Sequence, residues 1–139
     1  MIDFDNQTDL DIDIKEIEEI ANYITNKDFE LIVVGNDTIQ SINKEYRNID
    51  KPTDVLSFPL DVNCEGMPIG SIIISSDKVI EMAKEFNHSI LDEFRLLLIH
   101  GLLHLIGYDH EIDNGEMREK EEEIIKYFNL PKSLIVRND

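Results

Sequence analysis

Residues 96–107 read LLLIHGLLHLIG, an apolar run interrupted only by two histidines and two glycines. The run is too short to cross a bilayer, which takes about 18–20 apolar residues, so it predicts a helix in the core of a folded domain. Ser89 begins a capping-box-like sequence and marks the predicted start of this helix, and Gly107 marks its predicted end. Residues four apart on a helix are neighbours, so His100 and His104 are predicted to share one face.

Two imidazoles on an apolar helix need polar partners. An unsatisfied buried polar group costs about 1–3 kcal/mol, and one cation satisfies both rings. A third histidine, His110, follows Gly107, a residue that lets the chain turn back toward the helix. We therefore predict that His100, His104 and His110 hold one metal ion. Zinc suits imidazole and keeps a fourth position open when three protein groups bind it, although nickel, copper and iron remain alternatives on ligand type alone.

The residue after His100 bears on which reactions a metal at this site could catalyse. Helical zinc peptidases read His-Glu-x-x-His, and the glutamate is the general base. Here Gly101 stands at that position, so a peptidase would lack its usual base. Metal-assisted hydrolysis is still possible, since a bound metal activates water and polarises a phosphoryl or carbonyl oxygen.

Hydrophobic periodicity predicts alternating helices and strands upstream of the histidines. Apolar residues at i, i+3, i+4 and i+7 indicate helices, and short β-branched runs indicate buried strands. The first predicted elements are a helix with the apolar face Ile17, Ile20, Ala21 and Ile24, a strand Phe29–Val34, a helix capped by Asn36 or Asp37 with Ile39, Ile42 and Tyr46 inward, and a loop Tyr46–Thr53. Strands Asp54–Leu60 and Ile69–Ser75 follow, and then a helix with Val79, Met82, Ala83 and Phe86 inward.

One more helix is predicted after the histidines, beginning near Asp113–Glu116 with Met117, Ile124, Ile125 and Phe128 inward. A chain of 139 residues with 42% hydrophobic content can build one core but not two. We therefore expect residues 1–139 to form a single small domain of the α/β (α+β) class. It should have a short mixed sheet and about five helices.

Charge and composition limit the classes of function. Thirty acidic residues against 13 basic ones give a net charge of −17, which opposes general adhesion to nucleic acid. The first ten residues are acidic and lack the features of a signal peptide, and no apolar run is long enough to span a membrane. A single cysteine, Cys64, excludes an intrachain disulfide and fits a reducing compartment. We expect a cytoplasmic protein that does not bind membranes.

Two blocks of sequence resemble a known family. Residues 100–110, HGLLHLIGYDH, are similar nearly letter for letter to the signature of the bacterial YbeY family of rRNA maturation factors, which are metal-dependent, single-strand-specific endoribonucleases. Residues 46–59, YRNIDKPTDVLSFP, resemble that family's other signature. The resemblance implies a zincin-like fold, one zinc ion bound by His100, His104 and His110, and a functional arginine, Arg47, near the metal. Arginine suits this role because its forked, permanently charged side chain can clamp a phosphate.

The resemblance also implies a function in rRNA maturation and ribosome quality control. The substrate would be single-stranded RNA, with rRNA expected, and the partner would be the ribosome or a ribosome-associated protein. Asp109 is a candidate carboxylate for orienting a liganding imidazole. Ser71 is a departure, since family members usually read Gly-Asp-Ile where this chain has Gly-Ser-Ile.

Two alternatives from other classes stay open on the sequence. One is a metallopeptidase-like zinc hydrolase, which would cut peptides and leave single-stranded RNA intact. The other is a non-catalytic ribosome-assembly factor in which zinc only fastens the helix to the turn at His110. Purified protein of this second kind would bind zinc and cleave nothing.

Overall fold

The computed structural model describes residues 2–60, 67–109 and 112–130. In these ranges the chain forms one α+β domain, as predicted. Its elements are β1 (Ile2–Asn6), α1 (Ile14–Ile24), β2 (Phe29–Val34), α2 (Asn36–Arg47), β3 (Val55–Pro59), β4 (Gly70–Ser75), α3 (Ser76–Glu85), α4 (Ile90–Leu105) and α5 (Glu116–Tyr127).

The four strands form a mixed sheet in the order β1-β2-β4-β3. β1, β2 and β4 are parallel, whereas β3 pairs antiparallel with β4 along the edge. The two central strands are the β-branched runs of the sequence, and their side chains are covered on both faces of the sheet. The predicted mixed sheet is therefore confirmed, and β3 is an edge strand beside β4.

Helices cover the two faces of the sheet unequally. The main core lies on one face, where side chains of β2 and β4 pack against α1, α4 and α5. A smaller cluster lies on the other face beneath α2, formed by Val34, Ile39, Leu56 and Ile73. The histidine-bearing helix α4 thus belongs to the larger layer, as its apolar sequence predicts. No helix in the described ranges is long and apolar enough to cross a membrane.

The ends of α4 follow the sequence signals. The Ser89 side chain accepts a hydrogen bond from the Asp92 amide at 3.1 Å and caps the first turn. Gly107 lies just beyond the last turn with φ +109°, a conformation that favours glycine. Both predicted boundaries of this helix are confirmed.

Gly101 brings α4 close to the sheet. A Cβ atom at this position would lie 3.0 Å from Ile72 Cγ2 and 3.1 Å from Ser57 Oγ. The Ser57 hydroxyl also donates a hydrogen bond to the Gly101 carbonyl at 3.0 Å. The residue after His100 therefore faces β3 and β4, and a side chain there would overpack this contact and force its neighbours to shift.

The start of α2 differs from the prediction. Gly35, and not Asn36 or Asp37, is the N-cap residue, and its lack of a side chain leaves the first turn without a local cap. Asp77 from α3 supplies the missing acceptor, since its Oδ2 accepts from the Asn36 amide at 2.8 Å. A capping group from a distant element cannot be found from local sequence.

The end of α2 differs as well. The helix continues through Arg47 and ends at Asn48, which adopts φ +59°, so the predicted loop begins later than Tyr46. The prediction that Tyr46 points inward is wrong, because 67% of its surface is exposed. Asn43 takes the buried position instead and donates a hydrogen bond to the Lys51 carbonyl at 3.0 Å. The spacing of apolar residues cannot predict that an asparagine is buried because it binds the next loop.

The strand β1 was not predicted. Ile2 and Phe4 are half-buried while Asp3 and Asp5 are exposed, an alternation that fits an edge strand. Aspartate is depleted in strands, and this masks the pattern in the sequence. Charged side chains on a sheet edge also hinder unwanted pairing with other chains, so these aspartates have a structural use.

Packing at Gly101 yields the first prediction. Gly101→Ala should lower the free energy of unfolding by about 1–3 kcal/mol, because the new methyl group overpacks the contact with Ile72 and Ser57. Alanine is the better helix former by about 1 kcal/mol, so helix propensity alone predicts the opposite sign. Urea unfolding of both proteins measures the difference. Ser41→Ala, at an exposed position of α2, is the control and should stay within about 0.5 kcal/mol. A more stable Gly101→Ala variant would show that the contact is not tight.

Candidate metal centre

His100 and His104 project side by side from one face of α4. Their Nε2 atoms lie 3.3 Å apart, and their rings meet edge to face with centroids 4.8 Å apart. Both side chains are half-buried. The pairing follows from helix geometry, as the spacing of four residues predicts, while Gly101 fixes the rotation of the helix against the sheet.

The distance between the two nitrogens fits a shared metal ion. Two histidine nitrogens that each lie about 2.0–2.1 Å from a tetrahedral zinc are separated by about 3.3–3.4 Å. Two unprotonated nitrogens that face each other at such a distance repel, so a cation or a proton between them is required. His100 and His104 therefore offer nitrogen donors at the spacing that two ligands of one zinc ion have.

A buried carboxylate contacts the far side of the first imidazole. Glu121 of α5 places Oε1 3.0 Å from His100 Nδ1, and only 5% of the Glu121 side chain is exposed. Sequence reasoning missed this residue. The signal was present, because position 121 completes the i, i+4, i+7, i+8 spacing of the inward residues Met117, Ile124 and Ile125. A charged residue on a buried helical stripe is itself a pointer to a polar partner.

The third predicted ligand, His110, lies outside the described residues, so its position stays a prediction. In the part of the chain that the structure describes, no three metal-ligating side chains are grouped to hold an ion. Asp109 is half-buried, and its carbonyl accepts from the amides of Ile112 and Asp113 in the turn after α4. Its suggested role toward an imidazole remains a prediction, as does the zincin-like arrangement of the helix.

Arg47 lies at the last residue of α2 and its side chain is exposed. Across the described ranges, no hydrogen bond, ion pair or ring contact joins its guanidinium to His100 or His104. The helix dipole favours a positive charge at a helix C-terminus, so the position of the Arg47 guanidinium at the end of α2 is electrostatically favourable. The segment after Arg47 leads directly into β3, the strand that packs on α4 through Ser57. The role of Arg47 stays a prediction.

Ser71 lies on the other side of the sheet from the histidine helix. Successive residues of a strand point to opposite faces, and Ile72 next to Ser71 belongs to the main core with α4. The Ser71 hydroxyl donates to Glu30 Oε1 on the neighbouring strand at 2.7 Å. Ser71 therefore points to the face of the sheet opposite α4, where an acid of β2 contacts it.

Acidic side chains cover the outer surface of α5. Glu119 and Glu123 are exposed there, and Lys120 Nζ lies 2.6 Å from Glu123 Oε2. The Glu123 carboxylate raises the pKa of Lys120 above its usual value, chiefly by this hydrogen bond. Arg118 on the same helix likewise pairs with Glu122 at 3.3 Å. Acids outnumber bases on α5, so its surface disfavours an approaching polyanion.

Comparison with known proteins places the chain in a family. A family model described as Endoribonuclease YbeY matches residues 3–129. The chain is 66% identical to the Endoribonuclease YbeY of Aliarcobacter butzleri over 99% of each protein. It is 60% identical to that of Nautilia profundicola over 100% of this chain and 99% of the relative. The solution structure of a Thermotoga maritima protein shares 31% identity with a TM-score of 0.66, covering 93% of this chain and 92% of that one. The chain belongs to the YbeY family of endoribonucleases.

Proposed function

We propose that this protein is a zinc-dependent, single-strand-specific endoribonuclease that acts on rRNA during maturation and ribosome quality control. The observation that carries the proposal is the pair of Nε2 atoms 3.3 Å apart on α4, in a chain whose full-length relatives are named endoribonucleases. The spacing suits a shared zinc ion, and the names of the relatives supply the substrate class. Each finding alone would leave the reaction open.

Three histidines would hold the metal in this proposal. His100 and His104 supply Nε2 atoms from α4, and His110 would supply the third ligand from beyond Gly107. Zinc bound there would supply Lewis acidity toward a phosphate and would lower the pKa of a water molecule toward about 7. Three protein ligands are the set that catalytic zinc sites use.

The packing of α4 argues against peptide hydrolysis. A peptidase of the His-Glu-x-x-His type needs a glutamate at the position of Gly101. Here that position faces Ile72 and Ser57 at 3.0–3.1 Å, so a glutamate would collide with the sheet. The tight packing at this position thus opposes a side chain in the place of the peptidases' general base.

Arg47 would bind the phosphate in this proposal. Its guanidinium is exposed at the end of α2 and carries five donors in a fixed fork. Two parallel hydrogen bonds to a phosphodiester would orient the substrate and stabilise the charge that develops in the transition state. A local cation matters here, because the net charge of −17 repels RNA elsewhere.

The same charge supports delivery by a partner. Unspecific attraction between the protein and RNA should be weak, so affinity for rRNA would come from the ribosome or a ribosome-associated protein. The proposal places the protein in the cytoplasm, where rRNA is processed and where a lone cysteine, Cys64, stays reduced.

Metal removal is the first test of this proposal. Chelation should abolish cleavage of a single-stranded RNA, and one equivalent of zinc should restore it. Chelation should also lower the unfolding free energy, since a ligand at about 100 times its Kd stabilises the folded state by about 2.7 kcal/mol. A duplex RNA of the same sequence is the control substrate and should remain intact. Full cleavage by metal-free protein would contradict the proposal.

Arg47→Ala is the second test. The substitution should reduce cleavage of single-stranded RNA by about 10²–10³-fold, the loss seen when one donor to a developing oxyanion is removed. Zinc content and melting temperature should stay at wild-type levels, because Arg47 is exposed and makes no described contact with the histidines. Lys44→Ala removes an equal charge one turn earlier on α2 and is the matched control, with cleavage retained.

The outcomes separate the enzyme from its alternatives. Wild-type protein that binds zinc, folds and leaves single-stranded RNA intact would favour the non-catalytic assembly factor. Cleavage of peptides without cleavage of RNA would favour the hydrolase of the peptidase type. Equal loss of cleavage in the Lys44 and Arg47 variants would show that the effect is only one of charge.

A further inference from the structure

We infer that Glu121 is a positioning residue for the metal centre: its carboxylate holds the His100 ring with Nδ1 protonated, so that Nε2 keeps its lone pair and faces His104. The inference rests on the proposed zinc site, and it assigns to α5 a part in metal binding that the histidine motif does not contain. Glu121 does not touch substrate in this account. It acts only through His100.

The burial of the Glu121 carboxylate indicates that it has a polar partner in the core. The other inward side chains of α5 are apolar, and each of Met117, Ile124 and Ile125 is at most 1% exposed. A carboxylate at the equivalent position loses its hydration, which costs several kcal/mol unless a partner compensates. A leucine or methionine would pack there without this cost. The His100 Nδ1 atom, 3.0 Å from Glu121 Oε1, is a partner that compensates for this loss.

The contacts of His100 with Glu121 and His104 favour one tautomer of its ring. A neutral imidazole has one N–H and one lone pair. An ionised carboxylate only accepts hydrogen bonds, so the nitrogen beside Glu121 must carry the hydrogen. Nε2 on the other side of the ring then keeps its lone pair, 3.3 Å from the Nε2 of His104. The opposite tautomer would set a lone pair against the carboxylate and turn an N–H toward the metal position.

The carboxylate also raises the electron density of the ring. Hydrogen bonding of a ligand's second nitrogen to a carboxylate fixes the ring orientation and makes the ligand more basic, and loss of such a partner typically lowers metal affinity by about 10–100-fold. A purely structural contact between α4 and α5 makes a different prediction. It would lower the melting temperature of the metal-free protein and leave the zinc affinity of folded protein unchanged.

Zinc affinity separates these roles. Glu121→Gln keeps the size of the side chain and removes its charge, and it should weaken zinc binding by about 10–100-fold in a chelator competition assay. Glu119→Gln makes the same charge change at an exposed position of α5 and should bind zinc as the wild type does. Circular dichroism checks that each full-length variant is folded. Wild-type zinc affinity in folded Glu121→Gln protein would overturn the inference.

The tautomer can be read without any variant. Long-range ¹H–¹⁵N correlation spectra of the zinc-loaded wild-type chain should show His100 with a protonated Nδ1 and a metal-bound Nε2. Metal bound through Nδ1, or a protonated Nε2, would overturn the inference even if Glu121→Gln failed to fold. Neither readout involves RNA. Protein that shows the expected tautomer and affinities but cleaves no RNA would therefore contradict the proposed function and leave the role of Glu121 intact.

Discussion

The close contact between α4 and the sheet at Gly101 governs the geometry of this protein. The absent side chain lets the helix backbone approach Ile72 and Ser57, and the Ser57 hydroxyl fastens the Gly101 carbonyl at 3.0 Å. The rotation of α4 about its axis is thereby fixed. His100 and His104 then leave the helix on a half-buried face where a metal ion and water can reach them. Gly101 thus stands where helical zinc peptidases have their glutamate, and it is also the residue through which α4 packs closely on the sheet.

A chain of polar contacts joins α4 and α5 across the apolar layer. Glu121 contacts one nitrogen of His100, and the other nitrogen of His100 contacts His104. Buried polar groups are usually paired, and these contacts pair the buried Glu121 with His100 and His100 with His104. Metal binding would complete the set and tie α5 to α4.

The sequence predicts the parts of the fold that depend on local patterns. The strand Phe29–Val34, the cap at Ser89 and the stop at Gly107 are recovered at the expected residues. The histidine pair follows from helix spacing alone. Local patterns fail where a distant element decides the outcome, as when Asp77 caps α2 or Asn43 replaces Tyr46 as the inward residue. The sequence does not predict β1, because its aspartates are typical of an exposed, irregular segment.

Glu121 shows the same limit within the site. It stands among other acids in the sequence EKEEE, and only the stripe position of residue 121 distinguishes it from its neighbours. Its partner lies 21 residues earlier, so the pairing needs the packing of α5 on α4.

The central claim is that His100 and His104 share a zinc ion with one further ligand. Elemental analysis of the full chain, purified without added metal, tests it most directly. The account predicts about one zinc ion per chain, as three histidine ligands with an open position would retain. A zinc content near zero, in protein that is folded and cleaves single-stranded RNA, would contradict it.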